Sequence, residues 1–211
     1  MLFPQSIVDR DMLIWGDWEA EQKAMLMDAA RRYGADIFLD IGACFGLYAL
    51  TMKKAFPDCE VHAFEPHPVN RRQLEANCLI NPGIGEITVH GHALGERHET
   101  LGIKFDTHRN RGAARLNEDI HSEFMVDVLP LDNLLPYRGR TIIMKIDVEG
   151  SESRVLRGMR QVLANNRCFL QVECLSDQDQ VAFRALLDEL DLRVVTRIGE
   201  DTFVTNMAPP P

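Results

Sequence analysis

The sequence has no long hydrophobic run and no basic leader segment. None of its apolar stretches approaches the roughly 20 residues that a membrane-spanning helix requires, so we expect no membrane span. Residues 1–15 lack a basic segment followed by an apolar one, and we expect no secretory signal. The five cysteines include no CxxC pair and no spacing typical of a metal site. We therefore expect reduced thiols in a cytoplasmic protein.

Positive charge is scarce as well, because the net charge is −9 at pH 7. A general nucleic-acid-binding protein normally carries a basic face, so this balance argues against a nucleic-acid partner. The chain is nevertheless well supplied for a core, with 45% hydrophobic and 26% charged residues. Residues 1–211 therefore predict a single globular domain, and a homodimer stays open.

Short β-rich runs alternate with helical patterns along most of the chain. Strands are predicted at 36–42, 60–66, 86–95, 141–147 and 168–174, and helices at 45–56, 70–80, 152–164 and 179–190. The closing runs LRVVTRI and TFVTN are separated only by GED, which predicts an antiparallel hairpin. A helix at 18–33 belongs to no β-α unit, so residues 1–35 are predicted to form a helical cover. The whole pattern predicts an α/β fold with a mostly parallel sheet and helices on both faces.

Residues 96–135 interrupt this alternation. They contain two extended runs, TLGIKF and FMVDVLPL, around a polar segment at 106–123 that we interpret as a candidate substrate loop. Arg109, Arg111 and Arg115 are candidate substrate-binding residues, because local arginines on an acidic protein suit an anionic or heavily hydroxylated acceptor. A solvated connector is the alternative. Trp15, Trp18 and Glu19 are candidates for covering the pocket, although core packing explains the tryptophans equally well.

The ends of the first two strands carry a glycine turn and an acid. In open parallel sheets the ligand binds beyond the carboxyl ends of the strands, where the strand order reverses. In DIGACFG, Gly42 permits a tight turn and Gly46 allows the next helix to begin close to a ligand. Cys44 occupies the middle glycine of the dinucleotide fingerprint, which favours a cofactor without phosphates. Glu65 ends the second strand, where an acid commonly binds the ribose hydroxyls of an adenosine.

The fourth strand ends in acids, in TIIMKIDVEGSE at residues 141–152. Strand alternation puts Lys145, Asp147 and Glu149 on one side of the pleat if the strand extends that far. Glu152 is a candidate for the first turn of the next helix, where an acid complements the helix dipole.

These segments together resemble the FkbM-type S-adenosylmethionine-dependent methyltransferases. The resemblance covers roughly residues 37–174 in FLDIGACFGLYAL, VHAFEPHPVNRRQLEANCLIN, HALGE, LPLDNLL, IIMKIDVEGSESRVLRGM and LQVEC. It implies a Rossmann-like seven-stranded methyltransferase sheet. It also implies an enzyme that transfers a methyl group from S-adenosyl-L-methionine to a hydroxyl of a sugar, glycan or small natural product. The family usually has Asn where this chain has Cys44.

The resemblance also implies roles for individual residues. It assigns cofactor binding to residues at the ends of the first three strands: Asp40, Gly42, Ala43, Gly46, Glu65, Pro66, His92 and Ala93. Asp40 and the glycines would surround the methionine part, Glu65 would bind the ribose, and His92 and Ala93 would lie near the adenine.

At the fourth strand the chemistry needs a nucleophile held in line and a base for its proton. Asp147 is the candidate base, or it binds a substrate hydroxyl. Lys145 would hold the charge state of Asp147 or polarise the acceptor. Glu149 would face the substrate or support the cofactor. Mg²⁺ at Asp147 and Glu149 is possible but not favoured, because a third ligand is not evident. We therefore expect no metal.

Two alternatives belong to other functional classes. A nicotinamide-dependent oxidoreductase is disfavoured by the missing dinucleotide fingerprint and by the lack of a Tyr-x-x-x-Lys pair. A catalytically inactive cofactor-binding protein is kept open by Cys44. Methylation of a nucleic-acid base is disfavoured, since Asp-Val-Glu-Gly stands where such enzymes have an Asp/Asn-Pro-Pro-aromatic run.

Overall fold

The computed structural model describes residues 18–107, 110–173 and 180–208. The strands of these residues are β1 (Ile37–Ile41), β2 (Glu60–Phe64), β3 (Thr88–His90), β4 (Ala93–Leu94), β5 (Glu99–Thr107), β6 (Asn110–Asn117), β7 (Phe124–Leu129), β8 (Thr141–Ile146), β9 (Arg167–Glu173), β10 (Arg193–Ile198) and β11 (Asp201–Thr205). The helices are α1 (Ala20–Tyr33), α2 (Leu47–Ala55), α3 (Pro68–Leu79), α4 (Leu131–Leu134), α5 (Glu152–Arg157), α6 (Arg160–Asn165) and α7 (Gln180–Glu189), with a 3-10 turn at Pro82–Ile84. None of these helices is long and apolar enough to cross a membrane.

The main sheet has seven strands in the order β10-β11-β9-β8-β1-β2-β3. The strands from β9 to β3 pair in parallel, whereas β11 pairs antiparallel with both β9 and β10. The predicted sheet with its antiparallel closing hairpin is therefore confirmed. The strand order reverses between β1 and β8, so a ligand is expected at the carboxyl ends of these two strands.

The central strands β1 and β8 are buried along their whole length, because helices cover both faces of the sheet. Leu39 and Met144 pack into the core on one face, and Phe38 and Ile143 pack into the core on the other. The second face is covered by α1 and α2, through residues such as Leu26 and Ala49.

Two segments differ from the sequence prediction because the chain changes partners within them. The predicted strand at 86–95 is two strands, since β3 pairs with β2 while β4 pairs with β7 in a second sheet. The predicted helix at 152–164 is interrupted at Gly158. A Cβ at this glycine would lie 1.9 Å from the carbonyl oxygen of Gly95, so another segment passes directly against the helix there.

The prediction of a loop at 106–123 is wrong for much of its length. Residues 110–117 form β6, which pairs antiparallel with β5 and places Leu116 opposite Ile103 and Arg115 opposite Lys104. Together with β4 and β7 these strands form a second sheet in the order β4-β7-β5-β6. Leu116 and Ala114 pack on a small core with Ile103, and this burial favours a strand over a solvated loop.

Candidate active site

The glycine turn after β1 is shaped by close contacts within the protein. Gly42 has a φ of 83°, and a Cβ at this position would lie 1.7 Å from the carbonyl oxygen of Asp147. Gly46 has a φ of 89°, and its Cβ would lie 2.3 Å from Cδ1 of Leu74 in α3. Both glycines therefore allow the turn to pack against neighbouring elements, in addition to any room that they leave for a ligand.

Glu65 joins this turn to the segment that follows β2. One oxygen of the buried carboxylate accepts a hydrogen bond from the backbone N–H of Cys44 at 2.8 Å, and the other accepts from the N–H of His67 at 2.7 Å. Burial raises the pKa of Glu65 to about 8, although both N–H donors oppose this shift. Cys44 itself has a left-handed φ of 50°, a conformation that Asn tolerates better than most side chains.

A cleft at the carboxyl ends of β1, β2 and β8 is divided into two adjoining pockets. Gly42, Cys44 and Asp147 line both of them, so these three residues lie where the two pockets meet. The first pocket combines Glu65 and His92 with mostly apolar walls: Ile41, Phe64, Pro66, Ala93, Leu94, Ile103, Ala114, Leu116 and Val148. The second pocket is more charged and is lined by Trp18, Glu19, Asp40, Ala43, Phe45, Leu47, Tyr48 and Lys145.

Asp40 is a buried carboxylate in the second pocket with one oxygen free. Its Oδ2 accepts a hydrogen bond from the N–H of Ala49 in α2 at 2.9 Å, while Oδ1 is buried with no hydrogen-bond partner. Burial raises the pKa of Asp40 to about 6, although the charge of Lys145 opposes the shift. Lys145 is close to Asp40 because the parallel register of β1 and β8 pairs these two residues directly.

Lys145 and Asp147 form an ion pair at the end of β8. The ammonium of Lys145 donates to Oδ2 of Asp147 at 2.8 Å and lies 4.8 Å from the ring centroid of Tyr48. Burial opposes the charge of Lys145, but the carboxylates of Asp147, Asp40 and Glu19 outweigh burial and raise the pKa of Lys145 well above its usual value. Burial likewise opposes the charge of Asp147, but Lys145 outweighs it and lowers the pKa of Asp147. Asp147 is therefore ionised near neutral pH.

Three carboxyl groups meet beside this ion pair. Asp147, Glu149 and Glu173 each offer an oxygen, and these oxygens all lie within 4.8 Å of one another. Burial, together with the charge of Asp147, raises the pKa of Glu173 to about 10, so Glu173 holds a proton and hydrogen-bonds with Asp147. Burial also raises the pKa of Glu149. Glu173, at the end of β9, thus adds a third carboxyl group to the two that were considered as possible Mg²⁺ ligands.

The other acids of this segment have separate roles. The strand ends at Ile146, so the predicted alternation does not reach Glu149, which instead adopts a left-handed φ of 55°. The carboxylate of Glu149 accepts a hydrogen bond from Arg115 of β6 at 3.3 Å. Glu152 begins α5, and its carboxylate accepts from the backbone N–H of Gly150 at 2.9 Å, which braces the turn.

Of the three predicted substrate arginines, Arg115 is the one whose side chain is described; it donates to Glu149 and lines neither pocket of the cleft. Arg109 lies outside the described residues, as does Trp15. Arg111 belongs to β6, but its side chain is not among those described. Sequence reasoning also missed the second sheet as a wall of the first pocket, which Ile103 and Leu116 form. The alternation of apolar and polar residues at 114–116 could have indicated a strand there.

Comparison with known proteins gives a consistent result. Residues 40–197 match the sequence model of a family described as the methyltransferase FkbM domain. The chain is 28% identical over 144 residues to "Methyltransferase 1" of Beauveria bassiana (strain ARSEF 2860), covering 57% of each protein. It is 29% identical over 154 residues to "31-O-demethyl-FK506 methyltransferase FkbM" of Streptomyces tacrolimicus, covering 59% of each. The chain therefore spans less than two thirds of the length of these relatives.

The fold is also similar to that of a solved structure. The methyltransferase FkbM from Methylobacillus flagellatus KT superposes with a TM-score of 0.60 and 21% sequence identity, covering 81% of this chain and 43% of that one. At this level of identity the likeness concerns the fold.

Proposed function

The chain belongs to the FkbM methyltransferase family, and from this membership we propose that it transfers a methyl group from S-adenosylmethionine to a hydroxyl oxygen. The observation that carries the proposal is the divided cleft. An apolar pocket with a buried acid adjoins an acidic pocket, and the ionised Asp147 lies where the two meet. A ligand with a flat apolar end and a cationic end would fill both pockets.

The residues present fit S-adenosylmethionine, which carries an adenosine, an amino acid end and no phosphates. Glu65 uses its two oxygens for two backbone N–H groups, and a carboxylate has about four acceptor positions, so it can still bind ribose hydroxyls. Asp40 Oδ1 is buried without a partner in the acidic pocket, where an ammonium group would satisfy it. Cys44, which would obstruct a pyrophosphate, is compatible with this cofactor.

The chemistry that the cofactor supplies when bound is an electrophilic methyl group on a sulfonium. The protein's part is to hold the acceptor hydroxyl in line and to receive its proton. Asp147 is suited to both tasks, because Lys145 keeps it ionised. Protonated Glu173 hydrogen-bonds with Asp147 and so fixes the direction of its carboxylate. Glu149 lies beside Asp147 and pairs with Arg115 of the second sheet.

The acceptor that we propose is a hydroxyl-bearing small molecule or glycan. The Streptomyces tacrolimicus relative is named for an O-demethyl substrate, which supports oxygen as the methylated atom. Arg115 of β6 donates to Glu149 beside Asp147, and Leu116 of the same strand lines the first pocket, which supports a contribution of the second sheet to acceptor binding. Arg109 and Arg111 are proposed as further contacts from the same region. A nicotinamide cofactor is not favoured by any feature of the cleft.

Titration calorimetry with S-adenosylmethionine and with NADH tests the cofactor. We expect S-adenosylmethionine to bind and NADH not to bind, and the reverse result would contradict the proposal. A screen of hydroxylated acceptors, followed as release of S-adenosylhomocysteine, then tests the reaction. Release that accompanies thiol or amine acceptors but no hydroxyl would reject oxygen as the target.

A further inference from the structure

Glu19 is an acid of the second pocket that lies outside the residues that match the family. It directly precedes α1 and lines the pocket together with Asp40 and Lys145. Its φ of 52° is left-handed, which costs an ordinary side chain about 1 kcal/mol. Its side chain does not cap its own helix; its carboxylate instead accepts a hydrogen bond from the hydroxyl of Tyr48 at 2.6 Å. The side chain is therefore directed into the protein at the pocket.

The hydroxyl of Tyr48 is itself held from behind by a buried polar network. Gln171 of β9, which is fully buried, donates to this hydroxyl at 3.2 Å and to Asp201 at 2.9 Å. Gln22 of α1 donates to the other oxygen of Asp201 at 3.2 Å. Each member restricts the next, so the Glu19 carboxylate is held by Tyr48 of α2 and, through it, by residues of β9 and β11.

The charges of the second pocket do not balance. Three carboxylates, Glu19, Asp40 and Asp147, line it with one ammonium, that of Lys145. Lys145 is bound to Asp147, which leaves Glu19 and Asp40 as the acids that face the remaining space. Asp40 is almost completely buried, and its Oδ1 has no hydrogen-bond partner. A buried unpartnered carboxylate oxygen beside a second acid indicates a ligand that brings a cationic donor.

We propose that Glu19 and Asp40 together bind the ammonium group at the amino acid end of the cofactor, and that Tyr48 positions Glu19 for this contact. The inference rests on the proposed function, because it concerns the same cofactor. It adds a binding residue from the N-terminal helix to a site that the family motifs place in strands β1, β2 and β8. It also explains why the helix begins in a strained conformation, since the strain turns the acid towards the pocket.

Binding measurements with two ligands distinguish a role of Glu19 in binding the ammonium from a purely structural role. S-adenosylhomocysteine carries the amino acid end, whereas methylthioadenosine has the same adenosine and sulfur but lacks the ammonium. Glu19→Gln keeps the size of the side chain and its hydrogen bond to Tyr48 but removes the charge. We expect its affinity for S-adenosylhomocysteine to fall about tenfold or more, while its affinity for methylthioadenosine stays within about twofold of the wild type. The matched control is Glu21→Gln, an exposed acid in the first turn of the same helix.

Tyr48→Phe provides a second variant that leaves both acids in place. It should weaken binding of S-adenosylhomocysteine by about threefold to tenfold and leave binding of methylthioadenosine unchanged. An equal loss for both ligands, or no loss for either, would overturn the proposal and assign Glu19 a purely structural role. If the wild type bound neither ligand, the proposed function would fail together with this inference.

Discussion

Glu65→Gln tests the candidate site most directly, because this carboxylate serves both the fold and the ligand. Its two oxygens accept from the N–H groups of Cys44 and His67. An amide has a single acceptor oxygen, so in the variant one of these N–H groups faces a second donor. A hydrogen bond to a charged acceptor contributes about 1.5–3 kcal/mol. Above about pH 8, where Glu65 is ionised, loss of this charged acceptor for the ribose should therefore weaken binding of S-adenosylhomocysteine by roughly 10-fold to 150-fold.

The same substitution changes how stability depends on pH. The pKa of Glu65 in the folded protein is about 8, above its ordinary value of 4.5. The unfolded chain therefore loses this proton first, and the free energy of unfolding falls as the pH rises between these two values. In Glu65→Gln this contribution disappears, so the decline between about pH 5 and about pH 8 should be shallower than in the wild type.

Two measurements on each variant check these expectations. Titration calorimetry gives the affinity for S-adenosylhomocysteine, and urea unfolding at several pH values gives the free energy of unfolding. Glu86→Gln, an exposed acid that lines neither pocket of the cleft, is the matched control. An affinity of Glu65→Gln within about twofold of the wild type, in a protein that still unfolds cooperatively, would refute the assignment of Glu65 to the ribose.

Asp147→Asn should keep its affinity for S-adenosylhomocysteine but lose about a hundredfold or more in turnover, because the amide cannot take the proton; an unchanged single-turnover rate would remove Asp147 as the base. Since the pKa of Asp40 is about 6, affinity for S-adenosylhomocysteine should fall as this carboxyl is neutralised below that pH. Calorimetry on Asp40→Asn should find weaker binding and a flatter pH profile, and a profile as steep as that of the wild type would contradict this. Cys44→Asn should raise the free energy of unfolding by up to about 1 kcal/mol, because Asn tolerates the left-handed φ of 50° better; a lower urea midpoint would count against this explanation. Activity should survive EDTA, since an ammonium already neutralises Asp147 beside Glu149 and Glu173; loss with EDTA and recovery with Mg²⁺ would assign a metal to these three carboxyl groups.

Local patterns in the chain were sufficient for most of the main sheet. Near-continuous apolar runs predicted β1 and β8 because strands covered on both faces exclude water along their whole length. The short connection GED between the last two apolar runs predicted the antiparallel hairpin of β10 and β11, since so short a connection allows no crossover. The strand-end rule also selected Asp40, Glu65 and Asp147, and the structure places all three at the cleft.

Contacts between segments that are distant in sequence determined two features that local patterns did not predict: the strand at 110–117 and the set of acids at the cleft. The segment at 110–117 is polar enough for a loop, and it is a strand because β5 offers it a partner and a small core. Glu19 and Glu173 are remote in sequence from Asp147, yet the register of the sheet and the packing of α1 bring all of them to one cleft. Periodicity reports which face of an element is buried, but it carries no information about which distant element covers that face. The strands and their terminal acids are thus local properties of the chain, whereas the charge balance of the site arises only when the elements are packed together.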